Sequence, residues 1–218
     1  MESGRNRAMH LAAYMLSCPE REAVRQQTLA NLQATDWGVP PYVEIDRTAF
    51  TRRQERIDHT ARLLVRAAIA QRPDFVLALE DDLAFNRALR LNLEHWPPLR
   101  ETPPGGFFFG SLYNPNVGQR ERRPDLAYFV AHPNTVYGGQ AVIFSLATAR
   151  YLEAHWTEEI GMPDVKLPRL AARLGPLYYH QPSLVQHVGA VSVWGGHFHQ
   201  ARDFDADWRS PRTAEAPA

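Results

Sequence analysis

At 218 residues the chain has room for one domain with a well-buried core and not for two comfortable ones. Its 44% hydrophobic and 22% charged residues exclude a disordered chain, and 24 Lys plus Arg against 24 Asp plus Glu leave no general field for nucleic acid or acidic lipid. A lone cysteine, Cys18, excludes an internal disulfide framework.

Reading from the start, residues 1–7 are polar and basic, and the apolar run His10–Leu16 is too short for a signal core but suits a buried strand. Ser17-Cys18-Pro19-Glu20 reads as a helix start, with Ser17 capping and Glu20 completing a capping box. Val24, Thr28 and Leu32 keep one helical face inward until Trp37-Gly38. Pro40 to Asp46 gives a second strand that ends on an acid. A longer helix carries Ile57, Ala61, Leu64, Val65, Ala68 and Ile69 and stops at Arg72-Pro73. Phe75–Leu79 is the clearest strand, apolar without alternation as when both faces are covered, and it ends in Glu80-Asp81-Asp82.

Leu89, Leu93 and Trp96 predict a helix ahead of breaks at Pro97-Pro98 and Pro103-Pro104. Phe107–Tyr113 follows as a strand. The polar, arginine-bearing segment 114–134 shows a period only at Ala127–Val130 and is expected to be a functional loop. Gln140–Ser145 predicts a strand and Leu146–Trp156 a helix. A last helix holds Leu167, Leu170, Ala171 and Leu174, with Pro168 tolerated only in its first turn and Gly175 as its stop. Leu177–Tyr179 makes a final short strand, and residues 209–218 are expected to be a disordered tail.

Strands alternating with helices predict an α/β fold: one Rossmann-like domain over residues 1–208, with a mostly parallel sheet flanked by helices. No run approaches the ~20 apolar residues of a membrane span. With a single cysteine, the expected location is cytoplasmic.

Ligands of open α/β sheets bind beyond the carboxyl ends of the strands. Three such ends carry polar groups: Ser17 with Arg21, Asp46 with Arg47, and Glu80-Asp81-Asp82. Three adjacent carboxylates repel, so their place after a buried strand calls for a cation, and magnesium or manganese could bridge them to a diphosphate. An acidic surface turn is the plain alternative.

The stretch FVLALEDDLAF resembles the DXD-type segment of glycosyltransferases with the GT-A fold. YGGQAVIFSLATARYL and QPSLVQHVGAVSVWG are similar to later segments of the lipooligosaccharide and collagen galactosyltransferase group, the second also to the N-glycan-branching N-acetylglucosaminyltransferases. The resemblance implies a GT-A-like domain that moves a hexosyl or N-acetylhexosaminyl group from a nucleotide-diphosphate sugar, a uridine diphosphate sugar foremost, to an acceptor hydroxyl with inversion. It implies Asp82 as ligand to Mn2+ or Mg2+, with Glu80 and Asp81 on the nucleoside side. The partners are then a nucleotide sugar and a carbohydrate or other hydroxyl acceptor.

His187 suits manganese together with a carboxylate, or else is a hydrogen-bonded core histidine. His197 and His199 are weaker metal candidates. Asp164, entering the last helix, is the candidate base for the acceptor hydroxyl, with a carboxylate that only complements the helix dipole as its alternative. Glu158 and Glu159 are nearby substitutes for that role. Ser17, Arg21 and Asp46 are donor-side candidates, and Gly138-Gly139 would let backbone approach a ligand. Tyr137 and Trp194 either stack on sugar rings or pack.

Three rivals remain at this level, the last of them a metal phosphohydrolase, whose several-histidine cage the spacing does not assemble. A nucleotidyltransferase would need a Gly- and Lys-rich phosphate loop, and Ser17–Arg21 has neither residue. A non-catalytic nucleotide-sugar-binding module would bind the donor without hydrolysing it.

Overall fold

Apolar residues on both faces of a strand must be covered from both sides, and the run Phe75–Leu79 sits accordingly in the interior of the sheet. The computed structural model describes residues 9–115, 127–136, 138–189 and 199–211. In chain order the strands are β1 Leu11–Ser17, β2 Tyr42–Ile45, β3 Phe75–Leu79, β4 Leu83–Phe85, β5 Phe109–Ser111, β6 Tyr128–Ala131, β7 Ala141–Ser145, β8 Leu177–His180 and β9 Val185–His187. The helices are α1 Glu22–Gln33, α2 Arg53–Gln71, α3 Leu89–Glu94, α4 Pro97–Arg100, α5 Leu146–Ala154 and α6 Pro163–Ala171.

Among the described residues a seven-stranded sheet runs β2-β1-β3-β7-β5-β8-β6, and β4 pairs with β9 in a small second sheet. β2, β1 and β3 are parallel, β7 opposes β3, β5 and β8 run parallel, and β6 opposes β8. The expected α/β class and mostly parallel sheet are therefore observed, with β7 and β6 as the reversed strands.

Pleating sorts the strand residues into two cores. Leu11, Ala13, Met15, Phe75, Leu77 and Leu79 face one side, with Leu32 of α1 and Leu89, Leu93 and Trp96 above them. Tyr14 and Val76 face the other, against Ala61, Leu64, Val65 and Ala68 of α2, Leu152 of α5 and Leu167 and Leu170 of α6. The α2 stripe alone explains that helix: its apolar residues recur at three and four, and truncating fully buried Leu64 to Ala would cost about 2–5 kcal/mol. Among the described residues no helix is long and apolar enough to cross a membrane.

The structure corrects several boundaries. Ser17 does not cap a helix; it ends β1, and neither the 3-10 turn Pro19–Arg21 nor α1 has a side-chain cap. Pro97-Pro98 is not a break but the start of α4, because proline fits the first helical position where no amide bond is required. α6 starts earlier than its apolar residues suggest, at Pro163, which puts Pro168 inside the helix. Lacking an N–H, Pro168 leaves the carbonyl of Asp164 without its helical donor. The short strands β4 and β9, three residues each, are too short to show a period in the sequence. Of the segment 114–134, residues 116–126 lie outside the described residues, and Tyr128–Ala131 is an edge strand rather than loop. Of the expected tail, residues 209–211 are described, and the Ser210 amide donates to Asn92 Oδ1.

Candidate functional site

The parallel strands β1 and β3 end side by side, so Ser17 and the three acids after Leu79 meet at one edge of the sheet. Ser17 Oγ donates to Asp81 Oδ2 at 2.6 Å. Thr28, on the inner face of α1, donates to the Asp81 carbonyl at 2.7 Å and accepts the Leu83 amide at 3.0 Å. Arg21 divides its donors: Nε meets Asp81 Oδ1 at 2.7 Å and Nη2 meets Asp82 Oδ2 at 2.5 Å. Arg25 steadies the corner by donating to Ser17 Oγ and to the Cys18 carbonyl. All of these side chains are buried.

Asp82 is approached from the other side by β9. His187 Nε2 lies 3.1 Å from Asp82 Oδ2, and its Nδ1 donates to the His199 carbonyl at 3.2 Å. The Val188 amide donates to the Asp82 carbonyl, and Gly189 passes so close that a Cβ there would overlap Asp82 Oδ2. Only glycine leaves this carboxylate in place. Asp82 Oδ1 is buried and has no hydrogen-bond partner among the described residues.

A second wall comes from the turn ahead of β7 and from α6. The Glu80 amide donates to the Gln140 carbonyl, which brings Gly139 against the acids. A Cβ on Gly139 would stand 3.4 Å from Glu80 Oε1 and 3.5 Å from Asp164 Cβ, so the glycine is the spacer between those two carboxyl side chains. Gly138 holds φ at 84°, a conformation glycine adopts without strain. Asp164 lies in the first turn of α6, and its Oδ1 is likewise buried without a hydrogen-bond partner among the described residues.

The electrostatics follow from crowding. Burial, then the Asp82 charge, push Glu80 up to about 8, with Asp81 and Asp164 adding and His187 opposing. Burial raises Asp164, against the pull of the Val165 and Asp164 amides. Burial also raises Asp81, outweighing Ser17 and Arg21. Asp82 goes the other way: burial disfavours its charge, but His187 and Arg21 outweigh burial and hold it below the usual range. For His187 burial favours the neutral ring, and Asp82 more than reverses that.

The fold thus gathers Ser17, Arg21, Glu80, Asp81, Asp82, Gly138, Gly139, Asp164 and His187 at one edge. Asp46 stands apart. Its amide donates to the Ser17 carbonyl, but its Oδ1 takes both Thr48 donors and its Oδ2 pairs with Arg56 at 2.6 Å. Glu158 and Glu159 are also elsewhere, forked by Arg173 at 2.6 and 2.7 Å. Tyr137, Trp194 and His197 lie outside the described residues.

Sequence reasoning missed Arg25, Thr28 and Tyr113. Tyr113 is fully buried, and its hydroxyl reaches both Nδ1 and the carbonyl of His199 at 2.6 and 2.8 Å. Thr28 carried a signal, a hydroxyl on an otherwise apolar helical stripe. His199 enters through its backbone carbonyl, as the support of His187. Among the described residues no three His, Cys, Asp or Glu form a ready metal cage.

No family model and no curated protein matches the chain. Among solved structures it is similar to the crystal structure of a glycosyltransferase involved in the glycosylation of the major capsid of PBCV-1. The identity is 13% over 83% of this chain and 94% of that one, with a TM-score of 0.44. A likeness at that level says nothing about chemistry.

Proposed function

We propose that the chain is a metal-dependent, GT-A-like glycosyltransferase that takes a nucleotide-diphosphate sugar, a uridine diphosphate sugar first among them, and transfers the sugar to a hydroxyl with inversion. The observation that carries the reading is the pairing of His187 and Asp82. Because Nδ1 of His187 gives its proton to a carbonyl, a neutral ring would point the Nε2 lone pair at a carboxylate oxygen 3.1 Å away. Either a proton or a metal ion has to sit between them. A backbone carbonyl fixing the far nitrogen is also the usual support of a metal-binding histidine. Asp82 Oδ1, buried and without a partner among the described residues, offers a further oxygen. A hard cation that draws most of its ligands from phosphate and water needs only one or two such protein groups.

Asp82 and His187 would hold Mn2+ or Mg2+. When bound, the ion supplies positive charge against the departing nucleoside diphosphate. The chain's own residues account for the rest. Arg21 and Ser17 fix Asp81 on the nucleoside side, where Glu80 also lies. Gly138 and Gly139 keep the turn free of side chains between Glu80 and Asp164. Asp164 accepts the proton of the acceptor hydroxyl as that oxygen bonds to the anomeric carbon and the bond to phosphate breaks. Its burial supports this role, since a carboxylate with a raised pKa is the stronger base.

A panel of nucleotide sugars screened for thermal stabilisation with and without Mn2+ tests the reading. One sugar nucleotide should raise the melting temperature only when the metal is present, and slow donor hydrolysis should accompany it. Stabilisation that is indifferent to metal would refute the site. Binding without any hydrolysis or transfer would leave a binding module instead.

A further inference from the structure

Two of the three acids, Asp81 and Asp82, are not bare: the chain brings its own cation to them. Arg21 is 7% exposed and spans two carboxylates with separate donors, Nε on Asp81 and Nη2 on Asp82. The two ends of that span are held unequally. Both carbonyls are held, that of Asp81 by Thr28 and that of Asp82 by Val188, but among the described residues only the Asp81 side chain has a neutral donor of its own, Ser17. Asp82 keeps one oxygen without a hydrogen-bond partner among the described residues and shares the other between Arg21 and His187. The Asp81 end is therefore an anchor and the Asp82 end a contact that can be exchanged.

We infer that Arg21 couples metal binding to nucleotide binding: its guanidinium stands in for the metal at Asp82 and is handed to the diphosphate when both ligands enter. The inference rests on the metal site proposed above. A divalent ion at Asp82 meets a guanidinium already bonded to the same carboxylate, and like charges at such separations repel strongly in a buried setting. Metal alone therefore binds weakly. A diphosphate relieves the conflict, because its oxygens accept from a planar guanidinium fork at least as well as a carboxylate does. Arg21 can then turn its Nη2 edge to phosphate while Nε stays on Asp81. By linkage the nucleotide must tighten the metal by the same factor as the metal tightens the nucleotide. The practical consequence is an enzyme that does not load metal until donor is present.

Calorimetric titration of Mn2+, alone and with saturating UDP, tests this on the wild type, Arg21→Gln, Arg21→Lys and the double variant Arg21→Gln/Asp81→Asn. The double variant removes the guanidinium together with one of its two carboxylate partners and leaves Asp82 paired with His187, so one buried charge fewer is stranded than in Arg21→Gln alone. Mn2+ without nucleotide should bind Arg21→Gln on the order of tenfold more tightly than the wild type, and the double variant more tightly by a smaller factor, because Asp81→Asn also withdraws a negative charge from beside the ion. The tightening of Mn2+ by UDP should shrink about tenfold in the same proteins, and Arg21→Lys, a point charge without separate donors for Asp81 and phosphate, should recover only a minor part of the coupling. Equal Mn2+ affinity in wild type and variants, with UDP still tightening it in all of them, overturns the inference and leaves the metal site standing. Absence of Mn2+ binding in every protein, with and without UDP, overturns both.

Discussion

His180 and His187 lie seven positions apart on successive strands, and both are buried, yet their surroundings drive them in opposite directions. His180 sits between Trp96 and Trp208, with ring centroids at 5.1 and 5.3 Å, and its Nδ1 donates to the Pro182 carbonyl. Burial pushes it down to about 4, with the Pro182 carbonyl opposing weakly, so it is a neutral packing ring. His187 faces a carboxylate and another histidine's carbonyl, and Asp82 lifts it above its ordinary value against burial. Residue type and burial do not tell these two histidines apart. The charge within hydrogen-bond reach does.

That contrast is broken most forcefully at the acidic end. Asp164→Asn removes the proposed proton acceptor and should slow transfer by ~10²–10⁴-fold while donor binding holds, as read by steady-state rates beside calorimetry. A wild-type rate would remove Asp164 from the mechanism. Asp82→Asn strips the carboxylate from both Arg21 and His187 and should abolish the Mn2+ dependence of UDP binding, a loss of roughly 100-fold or more. Undiminished Mn2+-dependent affinity in that variant would make the His187 region as structural as the His180 region.

At the aromatic end the expected effect is on folding alone. The folded His180 titrates at about 4 against an ordinary 6.5, so between those values the unfolded chain holds the extra proton. Stability from this residue is complete above pH 6.5 and falls as pH drops toward 4, by about 3 kcal/mol in all. His180→Asn should flatten that part of the wild-type melting profile while leaving UDP binding at neutral pH unchanged. A variant whose profile kept the full wild-type slope would deny His180 its buried, neutral state.

Gly189→Ala probes the acidic region more gently. The added methyl overlaps Asp82 Oδ2, so either the carboxylate or the chain after β9 must shift, at about 1–3 kcal/mol. The sign of the comparison predicts where the loss shows: in Mn2+ and UDP affinity more than in melting temperature. The reverse pattern would mean that Gly189 serves the fold and not the site.

The sequence carried the frame of this site and little of its detail, for physical reasons. Phe75–Leu79 declared a doubly covered strand by composition, and the acids behind it could only fall at a strand end. What it could not show is pairing across the chain. Arg21 meets Asp81 over 60 residues and His187 meets Asp82 over 105, and no local period encodes either contact. Local logic even misassigned Ser17, whose hydroxyl fits a capping box as well as it fits Asp81. Asp46 shows the same limit in reverse: a strand-end acid by position, it spends both oxygens on Thr48 and Arg56.

The smallest expected effect belongs to the carboxylate that sequence alone ranks beside Asp164. Glu159 lies five positions away, but its Oε1 pairs with Arg173 on the protein surface, and Arg173 also holds Glu158. An exposed pair of this kind contributes little to stability, because water already solvates both charges well. Glu159→Gln should therefore turn over within about twofold of wild type, since general-base losses run far larger, and it should melt at the wild-type temperature. The result matters because the substitution is the same chemical change as Asp164→Asn, a carboxylate made amide next to the same helix. If Glu159→Gln lost activity to a similar extent, enclosure beside Gly139 and the acids would not be what selects the base. Surroundings would then not be what separates one carboxylate from the other.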